Sequence, residues 1–332
     1  MSNTSAKGKA GGGFPYWWEV VLVGILAVEV LLLYIYFPRM LRINVFLGVT
    51  INFMEMGIIA LAMAFVIISK NIDISVASTI ALASVVLATL AQYGAPLWLA
   101  ILAALATGAL AGAFNGVLIT KMKIPALVIT LGTMSLYRGA AYVVTGDQTY
   151  SKYPKEFSFI GRGTVTMTIP VLNFPINIPI PLIVFFVLFL VSWFILHRTT
   201  FGRKTFAIGN NATAALYSGI KVDRVLIAIF SMTGLYAAIA GVIMTSRNNS
   251  TRGNMAQGLE LDVITAVVLG GVSMDGGRGN LIGVVLAVFI IGIIRSGMYA
   301  MNASTELMKI IIGCLLILSL LLPRISAKIW KK

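Results

Sequence analysis

Cysteine is almost missing from this 332-residue chain: Cys314 stands alone, which excludes an intrachain disulfide. Its neighbours Ile312, Gly313 and Leu315 are apolar or small, so a packing role is expected rather than a reactive thiol. Histidine is equally scarce. His197, beside Arg198, has no Cys, Asp or Glu at ligand spacing, which argues against a metal site. Charged residues make up only 11% of the chain against 59% hydrophobic, too few for a soluble domain with an ordinary wet surface. No polar stretch approaches the roughly 100 residues that an added soluble domain needs. Also lacking are a Gly-x-x-x-x-Gly-Lys-Ser/Thr phosphate loop, a Ser/His/Asp arrangement and a helix-borne metal motif. The chain is therefore read as no enzyme, with no nucleotide, cofactor or metal site of its own.

What is abundant is long apolar sequence. A membrane-spanning helix needs about 20 largely apolar residues, and runs bounded by charge, Pro or Asn/Gly clusters fall near 20–37, 46–69, 74–93, 97–120, 125–145, 179–197, 224–246, 259–275, 280–298 and 306–323. These ten runs predict an all-α integral membrane protein set in a lipid bilayer. The eighth and ninth are short and joined by Asp275-Gly276-Gly277-Arg278-Gly279, which reads as a broken or re-entrant pair. The first run is longer than a signal-peptide core and lacks a small-x-small cleavage site, so it is read as a retained span with Trp17 and Trp18 at the interface. Residues 1–16 are expected to be disordered, 17–325 to form the membrane domain, and 326–332 a basic tail.

The formal net charge is +14. The cations sit in short loops rather than on one amphipathic face, so membrane topology accounts for them and nucleic acid does not. A cytoplasmic N-terminus puts most of them inside, among them Lys70, Lys121, Lys123, Arg203, Lys204, Lys221, Arg224, Arg278 and Lys328. Fewer then lie outside, including Arg39, Arg42, Lys152, Arg162, Arg247 and Arg252. Both termini are accordingly expected in the cytoplasm.

Two loops are long. Residues 146–177 carry Tyr150, Tyr153 and Phe157 and then an alternating stretch that predicts a short strand pair; the loop reads equally as a cap or as a docking surface. In the loop 198–224, Asn211 is a candidate N-cap and Gly219 a left-handed stop, which predicts a two-turn surface helix around Ala214 and Ala215. Such a helix between two spans is a handle for a partner.

Within the spans, Gly108, Gly112 and Gly116 share one helix face and predict close packing, as do Gly234, Ala238 and Gly241. Ionisable residues in lipid cost about 2.5–3.5 kcal/mol each, so those present should face protein or water. Glu55, Arg138 and Arg295 are the clearest, while Glu29, Asp73, Glu260 and Asp262 sit near run ends. An ion pair or interhelical hydrogen bond is the leading reading for Glu55, and snorkelling for Arg138 and Arg295; helix capping explains Asp73 and Asp262 as well as a path role does. Essentially one mid-span carboxylate is too few for ordinary ion coupling.

Particular strings then resemble a known family. Ile68-Ser69-Lys70-Asn71-Ile72-Asp73-Ile74-Ser75-Val76-Ala77-Ser78 resembles the Gly-Gly-Ile-Asp-Leu-Ser-Val-Gly-Ser signature of permeases from ribose-type sugar ABC importers, with Lys70-Asn71 in place of Gly-Gly and Ala77 in place of the later Gly. Lys123-Ile124-Pro125-Ala126, Thr130-Leu131-Gly132-Thr133, Phe201-Gly202-Arg203, Ala207-Ile208-Gly209-Asn210-Asn211, Gly258-Leu259-Glu260-Leu261-Asp262, Val268-Leu269-Gly270-Gly271 and Gly276-Gly277-Arg278-Gly279 match in order, over about residues 46 to 323. Asn52-Phe53-Met54-Glu55, Leu136-Tyr137-Arg138-Gly139 and Gly146-Asp147-Gln148 look most like permeases for rhamnose or for the autoinducer-2 furanosyl signal.

The resemblance implies an inverted five-plus-five-like repeat of the type II ABC importer kind, in the bacterial inner membrane. It also implies a second permease copy or related permease, an ATP-binding-cassette ATPase subunit holding ATP and Mg, and a periplasmic or lipid-anchored sugar-binding protein. Arg203, Lys204, Gly209, Asn210, Asn211, Ala214, Ala215 and Gly219 would form the ATPase-coupling loop, and Glu55, Asp73, Arg138, Glu260 and Asp262 are candidates for the translocation path or for structural polar roles. The competing reading is an ion-coupled secondary sugar transporter.

Overall fold

The computed structural model describes residues 17–146, 148–151, 153–169 and 174–329, with backbone only at 17, 169, 174, 319–320 and 322–329. Segment 1–16, Asp147, Lys152, the side chain of Lys328 and residues 330–332 lie outside the described residues. The chain runs α1 (Trp17–Tyr36), α2 (Ile43–Thr50), α3 (Met54–Ile68), α4 (Val76–Gln92), α5 (Leu97–Met122), α6 (Ala126–Thr145), α7 (Ser158–Arg162), β1 (Thr164–Ile169), β2 (Phe174–Pro179), α8 (Ile180–Arg198), α9 (Thr200–Asn210), α10 (Ala212–Tyr217), α11 (Val222–Asn248), α12 (Leu259–Leu269), α13 (Leu281–Ala300) and α14 (Thr305–Ile329).

Each of the ten apolar runs falls on helix, but not every one spans alone. Among the described residues, α1, α5, α6, α8, α11 and α13 are long and apolar enough to cross a membrane, and α2 with α3 makes a seventh if that pair, bent by 57°, is one span. At about 1.5 Å per residue, α4 covers about 25 Å and α12 about 16 Å of a hydrocarbon core about 30 Å thick. The eighth run is thus short, as expected, whereas the ninth is a full helix. The bend before α3 is where Phe53 leaves helical geometry and meets α13: its ring sits edge-on to Phe289 at 5.7 Å, and a Cβ at Gly292 would run into it.

The core forms around α3 and α11. All fifteen residues of α3 are buried, so this helix, apolar apart from Glu55, touches protein on every side. The glycine face of α5 packs on α11: a Cβ at Gly108 would overlap the Gly234 carbonyl, one at Gly112 the Phe230 carbonyl, and one at Gly116 the Ile227 backbone. Close backbone approach is what small residues provide where lipid supplies no hydrophobic drive. Gly234 and Ala238 face α5, while Gly241 faces Ser84 and Ile80 of α4.

The packing repeats with partners exchanged. Helices α4 and α5 pack together and on α11, and α6 packs on both; α12 and α13 pack together and on α3, and α14 packs on both. The segment before α4 follows the Ile68 end of α3, whereas α12 starts after the loop at the opposite end of α11, so α4 and α12 run in opposite directions.

At the end where α11 finishes, the described residues between α6 and α8 are tied down. Tyr150 pairs its backbone with Thr251, the Tyr153 hydroxyl bonds the Thr251 hydroxyl at 2.7 Å, and Phe157 is fully buried. Burial pushes the Tyr153 phenol up to about 12, so it serves as a neutral hydrogen-bonding group. The expected strand pair forms as β1 and β2, antiparallel with Thr164 opposite Pro179, and Asn44 bonds β2 through Pro175 and Asn177. These contacts seat the described residues of this segment against the end of α11 and the loop that follows. Cys314, expected to pack inside, is exposed on α14.

Candidate functional site

The segment between α8 and α11 folds as two short helices at one end of the bundle. Thr199 caps α9 by accepting the Gly202 N–H, and a Cβ at Gly202 would overlap the Leu196 carbonyl, so the corner from α8 into α9 is tight. Asn211 ends α9 and caps α10, its Oδ1 accepting the Ala214 N–H at 3.0 Å. Gly219 closes the segment at φ +82°, the left-handed conformation expected of it. Arg203, Lys204, Asn210 and Ala214 are exposed; Ala215 is buried and fastens α10 to the core.

Two residues not anticipated as site residues stand out on α10. Leu216 is 59% and Tyr217 87% exposed, on a helix too short to enter lipid. Apolar surface offered this way, with an aromatic at its edge, is typical of a protein-contact surface. Their local signal was present in Ala214-Ala215-Leu216-Tyr217, an apolar tetrad inside a polar loop.

Gly209 is a structural joint as well as a loop residue. A Cβ there would collide with the Ile68 carbonyl and the Gly277 nitrogen, and the Gly277 N–H donates to the Ile68 carbonyl at 2.8 Å. Three segments distant in sequence therefore meet backbone to backbone: the end of α9, the end of α3 and the α12–α13 loop. No local pattern announces that meeting.

The five candidate polar residues separate into different roles. Glu55 opens α3 and lies 3.1 Å from the Arg247 guanidinium of α11; it is 3% exposed and does form an ion pair. Asp73 lies buried before α4, where it accepts the Ser75 N–H at 2.9 Å and the Ser75 hydroxyl at 2.6 Å. Asn115 of α5 donates to the same Ser75 hydroxyl at 2.9 Å, and Tyr137 of α6 donates to Asn115 at 3.1 Å and to the Ala111 carbonyl. Asp262 lies 2.5 Å from Arg295 of α13. Capping does not account for Asp262, and snorkelling does not account for Arg295. Nor does Arg138 snorkel: its Nη1 donates to the Gly253 and Met255 carbonyls, at 2.9 and 2.6 Å, in the loop before α12.

Glu260 lies within electrostatic reach of Arg138, and its Oε2 is buried with no hydrogen-bond partner among the described residues. Glu29, expected near a span end, sits well inside α1, where it lines an apolar crevice of about 330 Å³ against α13. Sequence reasoning missed Ser75, Asn115 and Tyr137 as one chain of bonds. Asn115 is the one amide side chain in the apolar helix α5, and that was the signal available.

Comparison with known proteins gives a consistent result. Residues 45–320 match the family described as branched-chain amino acid transport system / permease component. The chain is 39% identical over 302 residues to the autoinducer 2 import system permease protein LsrD of Escherichia coli (strain K12), an alignment covering 91% of this chain and 90% of that protein. The same figures hold for the proteins of that name from Escherichia coli O157:H7 and Shigella flexneri. No solved structure matches.

Proposed function

Because this chain belongs to the branched-chain amino acid transport system / permease component family, we propose that it is the membrane permease of an ABC importer for a small sugar-like solute. An autoinducer-2-like furanose is the first candidate, on the likeness to the autoinducer 2 import permeases. In this reading a separate ATPase subunit binds ATP and Mg, a periplasmic or lipid-anchored binding protein delivers the solute, and a second permease completes the path. The protein sits in the inner membrane with both termini cytoplasmic.

The observation that carries the reading is the α9–α10 segment: a capped helix presenting Leu216 and Tyr217, jointed through Gly209 to the central helix α3. ATP binding moves the partner, the partner moves α9 and α10, and the helices around α3 rock between two states. Of the five polar candidates we assign only Arg138 and Glu260 to the solute path. Glu55 and Asp262 are occupied by ion pairs and Asp73 by Ser75, whereas Arg138 uses only Nη1 on loop carbonyls and feels the charge of Glu260, whose Oε2 lacks a partner among the described residues, which leaves donors and acceptors for sugar hydroxyls.

The test is uptake by proteoliposomes containing the permease, its ATPase and its binding protein. Uptake should require ATP and persist without an ion gradient; uptake driven by a gradient without nucleotide would instead establish a secondary carrier. Ala214→Pro deletes the N–H that Asn211 caps, and should abolish uptake while the protein still inserts. Normal uptake in that variant would remove α10 from the coupling role.

A further inference from the structure

The α12–α13 loop meets the same surface as α9, and nothing in its own packing uses its charged side chains. Two polar crevices open there and share Asn210 as a common wall. One, of about 320 Å³, is bounded by Asn210, Ser273, Asp275, Gly276 and Arg278. The other, of about 450 Å³, includes Lys70, Asn71, Gly209 and Asn211 in its lining. Arg278 and Lys70 are exposed and form no ion pair among the described residues, and neither does Asp275. Arg203 lies seven residues before Asn210 in α9, so it shares the Asn210 face about two turns away.

The loop is held in register with α9 by backbone. Gly276 and Gly277 adopt φ of +81° and +70°, and a Cβ on the first would crowd the Gly209 carbonyl and on the second the Asn210 side chain. Loop and helix end thus form one body. A partner gripping α10 meets this loop beside it, and the balance of Lys70, Arg203 and Arg278 against Asp275 is positive.

From this geometry we infer a second contact for the ATPase subunit. Residues 273–278 receive an acidic side chain of that subunit between Arg278 and Asn210, so that the pull on α9 also acts directly on α12 and α13. The inference rests on the importer reading above. A sheet of anionic lipid headgroups shares the chemistry but differs as a partner, because it would leave ATPase binding unaffected by Arg278.

The experiment uses the full-length permease in nanodiscs made only of zwitterionic lipid, with purified ATPase subunit added at low and at high salt. Arg278→Glu should weaken association about tenfold at low salt and flatten the salt dependence, while Arg252→Glu at the opposite end leaves both unchanged. Arg278 is exposed and forms no ion pair among the described residues, so the variant should elute in detergent as the parent does. A photo-crosslinking residue in place of Asp275 should capture the ATPase subunit in the parent background. Equal binding of Arg278→Glu and parent, or crosslinks to lipid alone, overturns the second contact. If the parent itself retains no ATPase subunit, the importer reading fails first.

Discussion

Ser75, at the start of α4, and Asp262, in the first turn of α12, each meet a side chain from the next helix, Asn115 in α5 and Arg295 in α13. The surrounding strings run in parallel: Ile72-Asp73-Ile74-Ser75-Val76 against Leu259-Glu260-Leu261-Asp262-Val263, and Gly112-Ala113-Phe114-Asn115 against Gly292-Ile293-Ile294-Arg295. Both pairs sit at the start of a helix, and because α4 and α12 run in opposite directions the two lie toward opposite ends of the bundle. One half satisfies its polar groups through Asp73, Ser75, Asn115 and Tyr137 with hydroxyl and amide donors, and the other through a charge pair. Amide and hydroxyl donors cost less to desolvate than charges do, and less is lost when one of their bonds breaks. A charge pair is costly to bury, and losing one member strands the other.

That difference sets the order of expected effects. Arg295→Ala strands Asp262 and should cost about 2–3 kcal/mol, below the fully buried limit because the Arg295 side chain is 26% exposed. Thermal unfolding in detergent reads this loss, and Asp262→Leu combined with Arg295→Met should recover most of it. A melting point unchanged in the single variant would mean that the pair contributes nothing.

Next comes the glycine seam between α5 and α11. Gly112→Ala drives a Cβ into the Phe230 carbonyl and should cost about 2 kcal/mol. Gly292→Ala meets the Phe53 ring, a side chain able to shift, so its loss in the same assay should be smaller. Equal losses would place the backbone seam and the ring contact on one footing.

Asn115→Ala leaves Ser75 and Tyr137 short of one partner each and should cost about 1–2 kcal/mol. A loss as large as that of Arg295→Ala would erase the distinction between the two halves. Smallest is Lys121→Ala. Its 3.6 Å contact with Asp223 joins side chains more than half exposed, and should change stability by less than about 0.5 kcal/mol at physiological salt.

Much of this was legible in sequence. The apolar runs, the α5 glycine face, the Asn211 cap, the Gly219 stop and the strand pair all depend on neighbours within a few residues, and each emerged in place. The short reach of α12 was partly hidden, because the apolar run continues past its end at Leu269. The site itself was half legible: the capped surface helix of its loop could be drawn, but not the exposure of Leu216 and Tyr217 or the roles of the five polar residues.

The sequence by itself determined that this chain lives in lipid as helices, because apolar length and the need to satisfy backbone hydrogen bonds inside a segment are local properties. Only the tertiary structure decided that Glu55 answers Arg247, that Asp262 answers Arg295, and that Gly209 touches Ile68 and Gly277. Those partners lie tens to nearly two hundred residues apart. No periodicity within one helix specifies which face of a distant helix it will meet.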